Sequence, residues 1–254
     1  MAHLFPSTLP AGAPELSRVS DFRRYLHEQQ AMLERAERSA TRLSSLSPSL
    51  LLDLLRFERE GRGSDLLEVI AASLRHGRRL LIHLGLGRHV VPLTVFPVER
   101  LAHCPLTREQ LLSARLADLE VLQVEPALLD TPGSGERALV AEAALYTPLG
   151  PLIWALALRG SRDTLLPELS GSAAYRVTPG ADLRGLELGG TITAAIARLR
   201  RETTNLREIA EWPGFNRERA MRLLNALYLQ AALRVSHTHP AANNEAWRSH
   251  PSGS

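Results

Sequence analysis

Apolar residues recur along this chain with two periods, and the switches between them mark its elements. Phe22, Tyr25, Leu26, Met32, Leu33, Ala36, Ala40 and Leu43 follow helical spacing from a cap at Ser20, with Asp21 favouring the helix dipole. Pro48 centres a break over 44–49, and Leu50 to Phe57 reads as a second, very apolar helix, so 20–60 is expected to form a helical hairpin. A polar link, 58–63, leads to a helix capped by Ser64. Leu66, Leu67, Ile70, Ala71 and Leu74 form its buried stripe, and Arg75, His76 and Gly77 close it.

The period then drops to two. Residues 79–84 and 89–96 are strand-like runs joined by Gly85–Arg88, and Pro92 in the second run predicts an edge strand. Thr107 opens a helix to about Leu116, Glu120 to Val124 is a strand, and Asp130 to Gly135 is a turn. Residues 138–146 and 152–159 predict a second hairpin across 148–151, and Ser161 caps a helix to Leu169. Residues 171–190 read as a linker with one short strand around Tyr175. The ends, 1–19 and 237–254, read as disordered, being rich in small and polar residues.

Between 191 and 236 the local signals agree at every level. Ile192, Ala195, Ile196 and Leu199 share one helical face. Asn205 caps a short helix with Glu208 three residues on, Pro213-Gly214 breaks it, and Asn216 caps a third. On that third helix Ala220, Leu223, Leu224, Leu227, Tyr228 and Ala231 make an apolar stripe, and Leu233 to Ser236 follows as a strand. Three helices and a strand in this order resemble a winged helix-turn-helix. The resemblance covers about a fifth of the chain and implies a recognition helix from Arg217 to Gln230, with Arg217, Arg219, Arg222 and Asn225 as nucleic-acid contacts. From 192 to 235 eight Arg stand against four Glu. Against that use, no second strand follows Ser236 to complete a wing, and Glu218 lies on the solvent face among the arginines.

The order α-β-β-α-β-β-β-α over 64–169 resembles the roadblock and related profilin-like domains, small dimerising platforms that regulate GTPases. The likeness is one of element order, without a diagnostic residue. The fold class expected is therefore α+β: an N-terminal helical hairpin (20–60), a central antiparallel-sheet platform (64–170), a linker (171–190) and a winged-helix-like unit (191–236).

Composition changes the picture little. Among 254 residues 44% are hydrophobic and only 5% aromatic, so the core is built of Leu, Ala and Val. All thirty basic residues are Arg, and a net charge of +3 is too small to argue for nucleic acid by itself. Cys104 is the only cysteine, which excludes an intrachain disulfide and a cysteine-cluster zinc site. The first twenty residues lack the pattern of a secretory signal, and the longest apolar run, 149–158, is too short to span a bilayer. A cytoplasmic protein is expected.

No catalytic constellation emerges. Gly85-Leu86-Gly87 lacks the further glycine and helix of a dinucleotide loop, and a chain without lysine has no P-loop. His103 and Cys104 are adjacent in an extended segment and so point to opposite faces. His237 and His239 have strand spacing for one face, but no Cys or carboxylate joins them as metal ligands. The reading is a non-catalytic bacterial regulatory or scaffold protein, with no cofactor and no metal. It would act on a protein partner, a small GTPase or signalling protein if the roadblock likeness holds, and form a homodimer. The alternative is a DNA-binding transcriptional regulator, and an enzyme of unknown type comes third.

Overall fold

Asp65, whose side chain accepts from the Leu67 amide at 3.0 Å, starts the first fully described helix of the core, and Gly77 at φ +61 ends it. The cap is thus Asp65, one residue after the expected Ser64. The computed structural model describes residues 16–36, 49–50, 65–133 and 139–242. The chain divides into two compact units, 1–152 and 153–254. Both are mixed α and β, and both sheets are antiparallel.

In the first unit α1 (Val19–Ala36) precedes α2 (Leu66–His76). The expected second helix of the hairpin, Leu50 to Phe57, lies outside the described residues except Leu50, which is helical and buried. Strands β1 (Leu80–Leu86), β2 (His89–Phe96), β3 (Leu101–His103), β4 (Glu120–Pro126) and β5 (Tyr146–Pro148) form one sheet in the order β4-β1-β2-β3-β5. A short helix α3 (Arg108–Ser113), opened by a capping box between Thr107 and Gln110, ends three residues before the expected Leu116. One face of the sheet carries Leu80, Ile82, Leu84, Val91, Leu93 and Val95, all fully buried, each worth ~1.5–3 kcal/mol against exposure.

Three expectations in this unit need correction. β2 is an inner strand despite Pro92. Its outer side pairs with β3 only over Thr94–Phe96, and the Val90 amide donates to Ser17 O, so Pro92 falls between two partners where no neighbour needs its missing N–H. That same bond, with a bridge from Arg18 to His89, ties down 17–19, which the sequence placed in a disordered end; residues 1–15 lie outside the described residues. β3 went unforeseen, being only three residues long.

The boundary between the units falls inside α4 (Leu149–Arg159), where a strand of a second hairpin was expected at 152–159. Leu149, Leu152, Ile153, Trp154, Ala155, Leu156 and Ala157 are all buried, so the run is apolar on every side and carries no period to separate helix from strand. The expected helix from Ser161 to Leu169 is only a 3-10 turn, Pro167–Leu169, because Pro167 disfavours helical backbone before it. Across 66–159 the order is therefore α-β-β-β-α-β-β-α, and the expected platform range 64–170 crosses the boundary.

The second unit contains β6 (Ala174–Val177), α5 (Gly190–Arg201), β7 (Thr204–Asn205), α6 (Leu206–Ala210), α7 (Arg217–Leu229) and β8 (Leu233–Ser236). The sheet order is β7-β6-β8. The short strand expected around Tyr175 in the 171–190 linker is β6, and it is the middle strand of the sheet. The linker is tied down further by buried Leu183 and by Trp154, whose indole donates to Glu187 O at 3.0 Å. The strand sought after Ser236 lies before α5 instead.

Candidate functional site

The caps at 205 and 216 fall where the sequence puts them. Asn205 accepts from the Glu208 amide at 3.0 Å and Asn216 from the Arg219 amide at 2.8 Å. Between them Gly214 takes φ +78 with its missing Cβ against Thr191, so only glycine turns the chain there without strain. Leu223, Leu224 and Leu227 are fully buried on the inner side of α7. Ala231 is not part of that stripe: it is exposed, at φ +55, just past the helix end.

The four predicted contact residues have separate fates. Asn225 is fully buried; it accepts from the Leu166 amide at 2.9 Å and donates to Thr164 O at 2.8 Å. It cannot read a base edge from there, so its assignment as a contact is wrong. Arg222 is only 16% exposed and donates to Gly160 O at 2.8 Å and to Glu218 at 2.9 Å. It straps α7 to the end of α4. Arg219 is more exposed but bridges Gly214 O at 2.7 Å and Thr191 Oγ1 at 2.9 Å while lying over the Phe215 ring. Arg217 alone of the four stands exposed with no bond to the other described residues.

Beside α7 a cleft of about 740 Å³ opens, inside the range of small-ligand and peptide pockets. One wall is Thr164, Leu165, Ser170, Gly171 and Ala173; the other is α6 and α7, through Leu206, Arg207, Ala210, Glu211, Arg217 and Met221. Its floor is apolar. Arg207 pairs with Glu211 at 3.5 Å, which leaves Arg217 as the lining charge with no partner among the described residues. Met221, absent from the apolar stripe of α7, is half-buried here, and a methionine off the main stripe is the sequence signal of a second apolar surface.

The remaining candidates resolve into structure. The Cys104 thiol is buried, and burial pushes its pKa up to about 11, so it is a poor nucleophile. Burial lowers the pKa of His103, whose ring packs against Tyr146 at 5.0 Å. His237 donates from Nδ1 to Ser172 O at 2.9 Å, and His239 Nδ1 accepts from the Ala241 amide at 3.1 Å. Gly87, at φ +58, belongs to the two-residue turn from Leu86 to His89. In the first unit a smaller recess of about 500 Å³ lies among Phe22, Tyr25, Gln29, His83, Gln123 and Glu125. There His83 stacks on Phe22 at 4.7 Å, and burial lowers its pKa against the opposing pull of Glu125.

No helix among the described residues is long and apolar enough to cross a membrane. Among the same residues no group of three His, Cys, Asp or Glu could hold a metal. Comparison with protein-family models, with curated proteins and with solved structures found no match.

Proposed function

We propose that this chain is a non-catalytic regulatory or scaffold protein acting through protein contacts, and that its second unit is a winged-helix-like module turned to that use. The observation that carries the reading is how α7 spends its polar groups. Asn225, Arg222 and Arg219 are bonded within the unit, while the cleft beside them offers a largely apolar lining and Arg217, a cation with no partner among the described residues. Such a surface suits an amphipathic peptide segment with an acidic residue near its apolar anchor. The helix at 149–159 removes the second hairpin on which the roadblock likeness rested, so a GTPase-regulating platform draws no support from element order.

A DNA-binding regulator is the second reading, favoured by charge. The second unit holds thirteen Arg against nine carboxylates, the first seventeen against eighteen. A salt titration of fluorescence anisotropy with mixed-sequence duplex separates the two. The protein-contact reading expects no submicromolar binding at ~150 mM salt, because on α7 Arg217 alone is left unbonded among the described residues to release counterions. Tight binding that Arg217→Ala weakens would move the assignment to DNA. The positive arm places a photo-crosslinking residue at Met221 in the intact chain in cells, with exposed Arg234 as control. Capture of one dominant protein at 221 and not at 234 is the expected result.

A further inference from the structure

We propose that the recess beside α1 in the first unit binds a small organic primary ammonium, held between Glu125 and His83 with its apolar stem against Phe22 and Tyr25. The inference stands apart from the peptide seat in the second unit. It starts from an irregularity in the sheet. The pairing of β1 with β4 shifts between His83 and Leu84: His83 lies opposite Gln123 but Leu84 opposite Val121, so β4 carries Leu122 as an extra residue. In a regular strand Glu120 and Gln123, three apart, would point to opposite faces. The bulge puts both on the face that carries His83, and Glu125, two residues on, shares it. There Glu120 accepts two hydrogen bonds from Arg23 of α1, at 2.8 and 2.7 Å, which holds the helix over the sheet. The recess between helix and sheet, about 500 Å³, is of a size to enclose a small molecule.

Its lining matches a cation that carries N–H donors. His83 Nδ1 is buried without a hydrogen-bond partner, and Glu125 Oε1 stands 3.7 Å away, too far for a bond. Burial holds the imidazole pKa below 6.5 against the pull of Glu125, so near neutral pH the ring is uncharged and Nδ1 can present a lone pair. Two acceptors facing each other satisfy neither. One ammonium between them donates to both, since a donor ~2.9 Å from each fits that separation. Glu125 is 41% exposed, so its carboxylate can turn to admit the donor, and among the described residues no arginine pairs with it. Phe22 and Tyr25, with ring centroids 6.2 Å apart, supply an apolar wall for the stem and ring faces that attract the charge. A quaternary ammonium would satisfy the rings and the carboxylate but leave Nδ1 without a donor.

The test titrates phenethylammonium into the full chain by isothermal calorimetry. Two further probes share its stem. Phenethyl alcohol lacks the charge, and trimethylphenethylammonium keeps the charge but lacks the N–H donors. The amine should bind one to one, and each control should bind about tenfold more weakly or worse. Glu125→Gln, a change at a part-exposed side chain that should melt like wild type by circular dichroism, should lose affinity for the amine to the same extent. In the wild-type chain the amine should also move the ring nitrogen resonances of His83, because Nδ1 gains a donor. No binding at ~10 mM amine would overturn the proposal, for even a modest contact per atom gives tighter binding than that. Equal affinity for the trimethyl probe, equal affinity in Glu125→Gln, or unmoved His83 nitrogens at saturating amine would each overturn it as well.

Discussion

Asn225 gives the sharpest test of the second unit. Asn225→Ala strands the buried Leu166 amide, which loses its acceptor at 2.9 Å, whereas Thr164 O keeps the Arg162 Nε–H at 2.9 Å. An unsatisfied buried amide costs ~1–3 kcal/mol, and the void left by the shortened side chain adds to it, for about 2–4 kcal/mol in all. With a urea slope of ~2 kcal/mol/M, the midpoint should fall by ~1–2 M. The assay is tryptophan fluorescence of the full chain in urea. Trp154, Trp212 and Trp247 all lie in the second unit, so the transition reports that unit alone. Asn225→Asp should be worse at neutral pH, since the carboxylate faces Thr164 O, and should recover on acidification as the acid gains a proton to donate. A base-reading Asn225 would leave stability untouched. An Ala midpoint within ~0.3 M of wild type would refute the structural role.

Gly214→Ala should destabilise the second unit by ~1 kcal/mol or more in the same assay, since φ +78 is costly for alanine and its Cβ would meet Thr191 Cγ2 at 3.0 Å. Leu224→Asp should abolish that unit's transition, for it puts a charge at a fully buried site where removing the leucine alone costs ~2–5 kcal/mol; a normal transition would show the stripe misassigned. The first unit should lose stability as pH falls from 7 to 5. His83 and His103 both have folded pKa values held below 6.5 by burial, so the unfolded chain binds more protons there. His83→Phe should flatten that dependence in circular-dichroism melts; an unchanged slope would remove His83 as its source.

How far the sequence could be read depended on the range of the interactions involved. Asn205 and Asn216 each cap a helix through bonds three residues away, and both were legible. α4 was not, because a helix buried on all sides loses its polar face and with it the period. β6 was legible as a short strand around Tyr175, but its partners lie at 204–205 and 233–236, so nothing local marks it as the middle of a sheet. The site failed for the same reason. Asn225 and Arg222 looked like an exposed polar face, but the backbone groups they bond, at Gly160, Thr164 and Leu166, sit 59 to 62 residues earlier in the chain. The cleft needs the 164–173 wall, which helical periodicity alone cannot place beside α6 and α7.

The middle position of β6 decides when the second unit can exist. β7 and β8 each hydrogen-bond to β6 and not to each other, so the sheet has no smaller version of itself. During synthesis β6 emerges first and stays unpaired until residue 204 arrives, then half-paired until 236 does. Closing so long a loop is slow beside the local winding of α5 and α7, so the helices form and wait for the sheet. A fragment begun at 191, the natural cut for a helix-turn-helix, would present two bare strand edges and no strand to join them.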